Sequence, residues 1–159
     1  MAQTRIFDIQ ETLRLNKRGV WLSNGEEILH QPTVRAFTRH LTRASEKPLN
    51  YAIQIGNEKK TVEIEDTPYF VEGISSEEQG PIQIRIKNLK IFELNIQTLR
   101  LDEPGLVCEI EIRGQQERAR FLPSAYHQIM KNLEEDEKSY FLRTRDKRGT
   151  EIRTDLLIK

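Results

Sequence analysis

The sequence predicts an α+β fold of two tandem similar motifs, each a helix packed on an antiparallel β-sheet. The first observation behind it is short segments that alternate apolar and polar residues, the period of a half-buried strand. The second is a pair of proline-started segments with apolar residues at helical spacing: Val34, Phe37 and Leu41 in one, Tyr126, Ile129, Met130 and Leu133 in the other. The third is an order of elements, hairpin, proline-started helix and tyrosine-started hairpin, that occurs twice, which suggests a duplication.

Taken in order, residues 1–11 suit a short helical turn or an ordered arm anchored by Ile6 and Ile9. Leu13 and Leu15 alternate in a first strand, Lys17-Arg18-Gly19 reads as a turn, and Val20-Trp21-Leu22 begins a second strand. Ser23-Asn24-Gly25 is the strongest turn signal, because Asn and Gly both tolerate the positive φ of a tight reversal. Residues 26–29 return. Pro32 opens a helix over 33–44, since it pre-sets φ and needs no amide partner in the first turn. Residues 51–55 and 61–65 then form a hairpin about a turn at 56–60, closed by Asp66-Thr67-Pro68.

Tyr69-Phe70-Val71 is a short strand, and the polar stretch 73–79 before Gly80-Pro81 is the expected boundary between an N-terminal motif, residues 1–80, and a C-terminal one, 81–159. Ile82, Ile84 and Ile86 mark a strand with one buried face. Residues 89–101 read as one or two further strands, with a helical reading also open, and 102–105 as a turn. Strands at 106–113 and 117–122 flank a turn at 114–116, Pro123 opens a helix over 124–134, and 140–144 pairs with 150–155. Laid ungapped on residues 51–66, residues 140–155 share the leading tyrosine, Thr61 with Thr150 and Asp66 with Asp155.

Bulk properties narrow the function classes. Of the 159 residues 36% are apolar and 31% charged, yet the apolar ones fall in periodic runs, so the chain is expected to fold. Net charge is zero, which gives no global field toward nucleic acid or a membrane. The single cysteine, Cys108, excludes an internal disulfide and a repeated-cysteine metal cage. Apolar runs fall far short of the roughly 20 residues that cross a bilayer, and the polar N-terminus lacks a signal-peptide order, so a cytoplasmic location is expected.

Arg18-Gly19-Val20-Trp21, Asn24-Gly25, Ile28, Val34-Arg35-Ala36-Phe37, Tyr51, Glu58-Lys59 and Glu65-Asp66-Thr67-Pro68-Tyr69-Phe70 together resemble the bacterial family catalogued as domain of unknown function 1285. Residues 106–133 match more loosely, the N-terminus lacks the family's proline-rich lead-in, and 82–101 match only roughly. The resemblance implies two similar helix-plus-sheet motifs with a groove between them, and a role in signalling or small-ligand sensing. A groove is then expected near Trp21, His30, Arg35, Glu58 and Asp66.

Each candidate has a plainer reading. Trp21 beside a turn is by default a core residue with one N–H to satisfy. Glu63 and Glu65 lie two apart on one strand face, as a solvated face does, and Asp66 before Thr67-Pro68 suits a turn. His30, His40 and His127 show no metal-pair spacing; Ser124 reads as a helix start and Cys108 as core, so no cofactor, metal or catalytic residue is assigned. The basic set Arg143, Arg145, Lys147, Arg148 and Arg153 suits phosphate or nucleic acid, but the acidic stretch 134–137 just upstream favours a charged, solvated edge. The expected function is a non-enzymatic ligand-binding or signalling accessory domain, its partner a small molecule or a signalling protein rather than nucleic acid or membrane. The alternatives are a small hydrolase using Glu65 or Asp66, and a protein–protein interaction module. The pattern sets no oligomeric state.

Overall fold

A computed structural model describes residues 7–8, 10–76, 81–102 and 105–158. The chain is mostly sheet, with two α-helices, and divides into compact units Met1–Pro68 and Tyr69–Lys159.

The first unit carries β1 (Leu13–Leu15), β2 (Trp21–Ser23), β3 (Glu26–Glu27), α1 (Gln31–Arg39), β4 (Leu41–Arg43), β5 (Asn50–Ile55) and β6 (Glu58–Ile64). Its sheet order is β3-β2-β1-β6-β5-β4. Asn24 and Gly25 take φ of 52° and 82°, and the Asn24 carboxamide oxygen and amide N–H both bond to the Thr12 backbone, at 2.9 Å each. Leu13, Leu15, Trp21, Phe37, Leu41, Ile53 and Val62 are buried. The Trp21 ring meets Phe37 edge-on at 5.6 Å between centroids, and its indole N–H donates to the Thr38 hydroxyl at 3.2 Å. Phe7 adds a tilted contact on Phe37; Ile6 and Ile9 lie outside the described residues.

The second unit opens with β7 (Tyr69–Ser76), β8 (Ile82–Ile86), β9 (Ile91–Glu93), a 3-10 turn (Ile96–Thr98), β10 (Arg100–Asp102), β11 (Gly105–Ile112) and β12 (Gln115–Phe121). Its sheet order, β10-β11-β12-β7-β8-β9, is that of the first sheet. In both, three strands run outward as an antiparallel meander, the chain crosses over, and three more run inward. Beyond this sheet come α2 (Pro123–Met130) and the antiparallel sheet of β13 (Leu133–Glu135), β14 (Ser139–Arg145) and β15 (Glu151–Ile158).

Several expectations change. The six-stranded sheets are mixed rather than antiparallel: β1 runs parallel to β6, Leu13 opposite Val62, and β7 parallel to β12, Tyr69 opposite Ala119. The crossover is the cause, because it returns the chain to the far edge in the direction it left. The repetition is carried by the sheets and not by the helices. In the first sheet α1 fills the crossover, in the second the 3-10 turn does, and α2 follows the sixth strand. The equivalents of β5 and β6 are therefore β11 and β12, not the β14–β15 hairpin on which the shared tyrosine, threonine and aspartate fell.

The helices are also shorter than expected. Leu41 belongs to β4, opposite Ile53, and Leu133 to β13; α2 buries Ala125 and Ile129, with Tyr126 and Met130 half-buried. An apolar side chain just past a helix satisfies helical spacing equally well when the chain has already turned into a strand. The five-residue turn expected at 56–60 is a two-residue one, Ile55 being opposite Glu58. Residues 73–76 continue β7, while 77–79 of the expected boundary loop and Glu103-Pro104 of the expected turn lie outside the described residues.

Candidate ligand-binding cavity

A cavity of about 650 Å3 lies within the second unit. It is lined from three stretches: Pro81 and Ile82 where β8 begins, residues 93–97 from the end of β9 into the 3-10 turn, and residues 144–148 with Ile152 from the β14–β15 hairpin. The Leu94 amide donates to the Ile82 carbonyl at 2.9 Å, which holds the chain against β8 as it leaves the sheet. Asn95 then caps the 3-10 turn, its side-chain oxygen accepting from the Gln97 N–H at 3.2 Å. Across the cavity Asp146 closes the hairpin: its carboxylate accepts the N–H groups of Arg148 and Thr150, at 2.9 Å each. Gly149 supplies the left-handed residue that this turn requires, with φ of 81°.

The lining divides by chemistry. Ile82 and Leu94, both buried, and Ile96 and Ile152, half-buried, supply apolar surface. Arg145, Lys147 and Arg148 face Glu93 and Asp146 in the polar part, a formal excess of positive charge. Both acids are engaged, Asp146 by the turn amides and Glu93 by Lys147 at 3.9 Å. Among the described residues the Arg145 and Arg148 side chains have no hydrogen-bond or ion-pair partner. Elsewhere on the hairpin the basic residues are neutralised. Arg143 reaches Glu134 at 2.9 Å and Glu151 at 2.7 Å, which raises its pKa. Arg153 pairs with Asp136 and Asp155 and stacks on Phe141, 3.7 Å from the ring centroid. The hydrogen bond from Arg153, with the amides of Lys138 and Ser139, holds the Asp136 carboxyl far below the usual carboxylate range.

None of the residues expected to form a groove lines this cavity. Trp21 is 2% exposed, in the core of the first unit. His30 is the exposed residue preceding α1, with Nδ1 2.7 Å from the Thr33 hydroxyl, and Arg35 is exposed on that helix. Glu58, half-buried at the start of β6, accepts the Phe7 N–H at 3.3 Å, and Asp66 is half-buried just past that strand. No group of three or more His, Cys, Asp or Glu side chains among the described residues is placed to hold a metal ion. No helix among them is long and apolar enough to cross a membrane.

The apolar lining went unread in the sequence because Ile82, Leu94, Ile96 and Ile152 come from three distant segments. The cations carried a signal. Arg145, Lys147 and Arg148 belong to the basic set noted on the sequence, but the acidic stretch upstream neutralises Arg143 and Arg153 and leaves Arg145 and Arg148.

The class defined by this architecture is a mostly-β protein in which one six-stranded mixed sheet occurs twice, followed by a helix and a three-stranded sheet. No family model and no curated protein matches the sequence. In fold the chain is similar to a DUF1285 family protein from Silicibacter pomeroyi, with a TM-score of 0.69 and 16% identity over 92% of this chain and 79% of the other. It is likewise similar to a DUF1285 family protein from Shewanella baltica, with a TM-score of 0.61 and 15% identity over 77% of this chain and 92% of the other. Both are proteins of the family that the residue pattern resembles, and the likeness is one of fold.

Proposed function

We propose that the protein is a small-molecule-binding protein, non-enzymatic, whose site is the cavity between the 3-10 turn and the β14–β15 hairpin. The observation that carries this reading is the cavity itself. Its volume of about 650 Å3 falls among ordinary ligand pockets. Its lining is more polar than most, joining Pro81 and four aliphatic side chains to a larger set of polar and charged groups that supply orienting contacts. The chemistry favours binding over turnover. Its two carboxylates are committed to turn amides and to Lys147, so neither is placed as a free general base. Binding without turnover suits a sensing or signalling accessory role.

Thermal-shift and native mass measurements on the purified chain, across a panel of metabolites and nucleotides, test this. At least one compound is expected to raise the melting temperature. Ile96→Trp, which fills the cavity from a half-buried position, should abolish that shift, and Trp21→Phe should leave it. A panel without a shift, or a shift that survives Ile96→Trp, removes the cavity reading and favours an interaction module instead.

A further inference from the structure

The charge arrangement of the cavity goes further than its shape. Five charged side chains line it, and the engagement of the two acids leaves the two guanidiniums of Arg145 and Arg148 without partners among the described residues. On the same hairpin Arg143 and Arg153 each hold two carboxylates. The arginine–carboxylate pairs therefore cover the body of the hairpin and stop at its turn, where the cavity lies and where the Asp146 carboxylate accepts turn amides.

A guanidinium is a planar fork of donors that matches a carboxylate or a phosphate, with two parallel hydrogen bonds to one group. Both arginine side chains are exposed, so such a bond is weakened by salt. A cationic ligand would meet the excess positive charge instead, and a wholly apolar one would leave the guanidiniums solvated but unused. We propose, resting on the cavity reading above, that the cavity takes a small organic anion. Its carboxylate or phosphate head lies at Arg145 and Arg148, and its apolar body lies on Ile82, Leu94, Ile96 and Ile152.

The test uses four probes with one tail: octanoate, octyl phosphate, octanol and octylamine, titrated calorimetrically into the full chain. At least one of the two anions should bind about tenfold or more tighter than octanol, weakening as salt is raised, and octylamine should bind less well than octanol. The better anion identifies the head group as carboxylate or phosphate. In the double variant Arg145→Gln, Arg148→Gln the anion preference should vanish while octanol binds as before, a neutral control that also reports an intact cavity. Ile96→Trp should abolish binding of all the probes. An anion preference that is absent from the native chain, or that persists in the double variant, overturns the inference. Octanol binding that Ile96→Trp blocks, without an anion preference, overturns the anion and leaves the cavity reading standing. Anion binding that ignores Ile96→Trp overturns both, and a chain that binds none of the probes overturns the anion inference.

Discussion

Tyr69 and Cys108 are buried in the second unit, and the protein keeps both protonated far into the alkaline range. Burial first, and then the Glu117 carboxylate, push the Tyr69 phenol up to about 12, against a downward pull from the Arg113 guanidinium. Burial, with Glu109 behind it, pushes the Cys108 thiol up to about 12 as well. Both folded-state values lie above the unfolded ones, so stability from these groups is fully present below the unfolded pKa and falls as pH rises. The window runs from about 9 for the thiol and about 10 for the phenol up to about 12. Melting temperatures at pH 8 and pH 11 should therefore differ by less in Tyr69→Phe than in the native chain, the phenol's share over that interval being on the order of 1.4 kcal/mol. An equal loss in both would assign the alkaline sensitivity to another group. The thiol in turn should resist alkylation at pH 8 until the chain unfolds.

At the scale of elements, turns were legible where their residue types demand a special backbone. Asn24-Gly25 was read as a tight reversal and is one, with both φ values positive. Arg113-Gly114 makes a turn of the same kind, φ 50° and 79°, but arginine gives no warning of a left-handed residue, and the expected turn fell at 114–116. Asn24→Ala should lose both the side chain's tolerance of that backbone and the acceptor for the Thr12 N–H, a cost of about 2 kcal/mol. Urea denaturation of the full chain would measure it, and a cost near zero would show that the turn only follows the strands it joins. Helix starts were legible through Pro32 and Pro123, while helix ends were not. Leu41 and Leu133 keep helical spacing in sequence yet pair in strands, so periodicity reported their burial and not their backbone. The cavity depended on pairings between distant segments, which one-dimensional patterns do not contain. Only its cations stood out, and what set Arg145 and Arg148 apart from Arg143 was the reach of Glu134 and Glu151.

At the scale of the molecule, the duplication was expected from an order of elements and was found in an order of strands. The two sheets share the pattern of an outward meander, a crossover and an inward meander, although a helix fills one crossover and a 3-10 turn the other. Side-chain identity says little about such a match, because the sheet constrains alternation and register more than residue type. The crossover also sets the parallel junction at the centre of each sheet, and that junction has a mechanical meaning. Since β1 and β6 run parallel, the chain enters and leaves their sheet at opposite ends of neighbouring strands, as it does with β7 and β12. Tension along the polypeptide then slides these strands past each other and loads all their hydrogen bonds together, instead of opening them one at a time. In force spectroscopy, pulling on the first unit by residues just before Leu13 and just after Ile64 should require more force than pulling at Leu49 and Glu65, the adjacent open ends of the β5–β6 hairpin, which peels β6 from β5 one hydrogen bond at a time. Each six-stranded sheet is in this sense a shear clamp, closed by its first strand and its last.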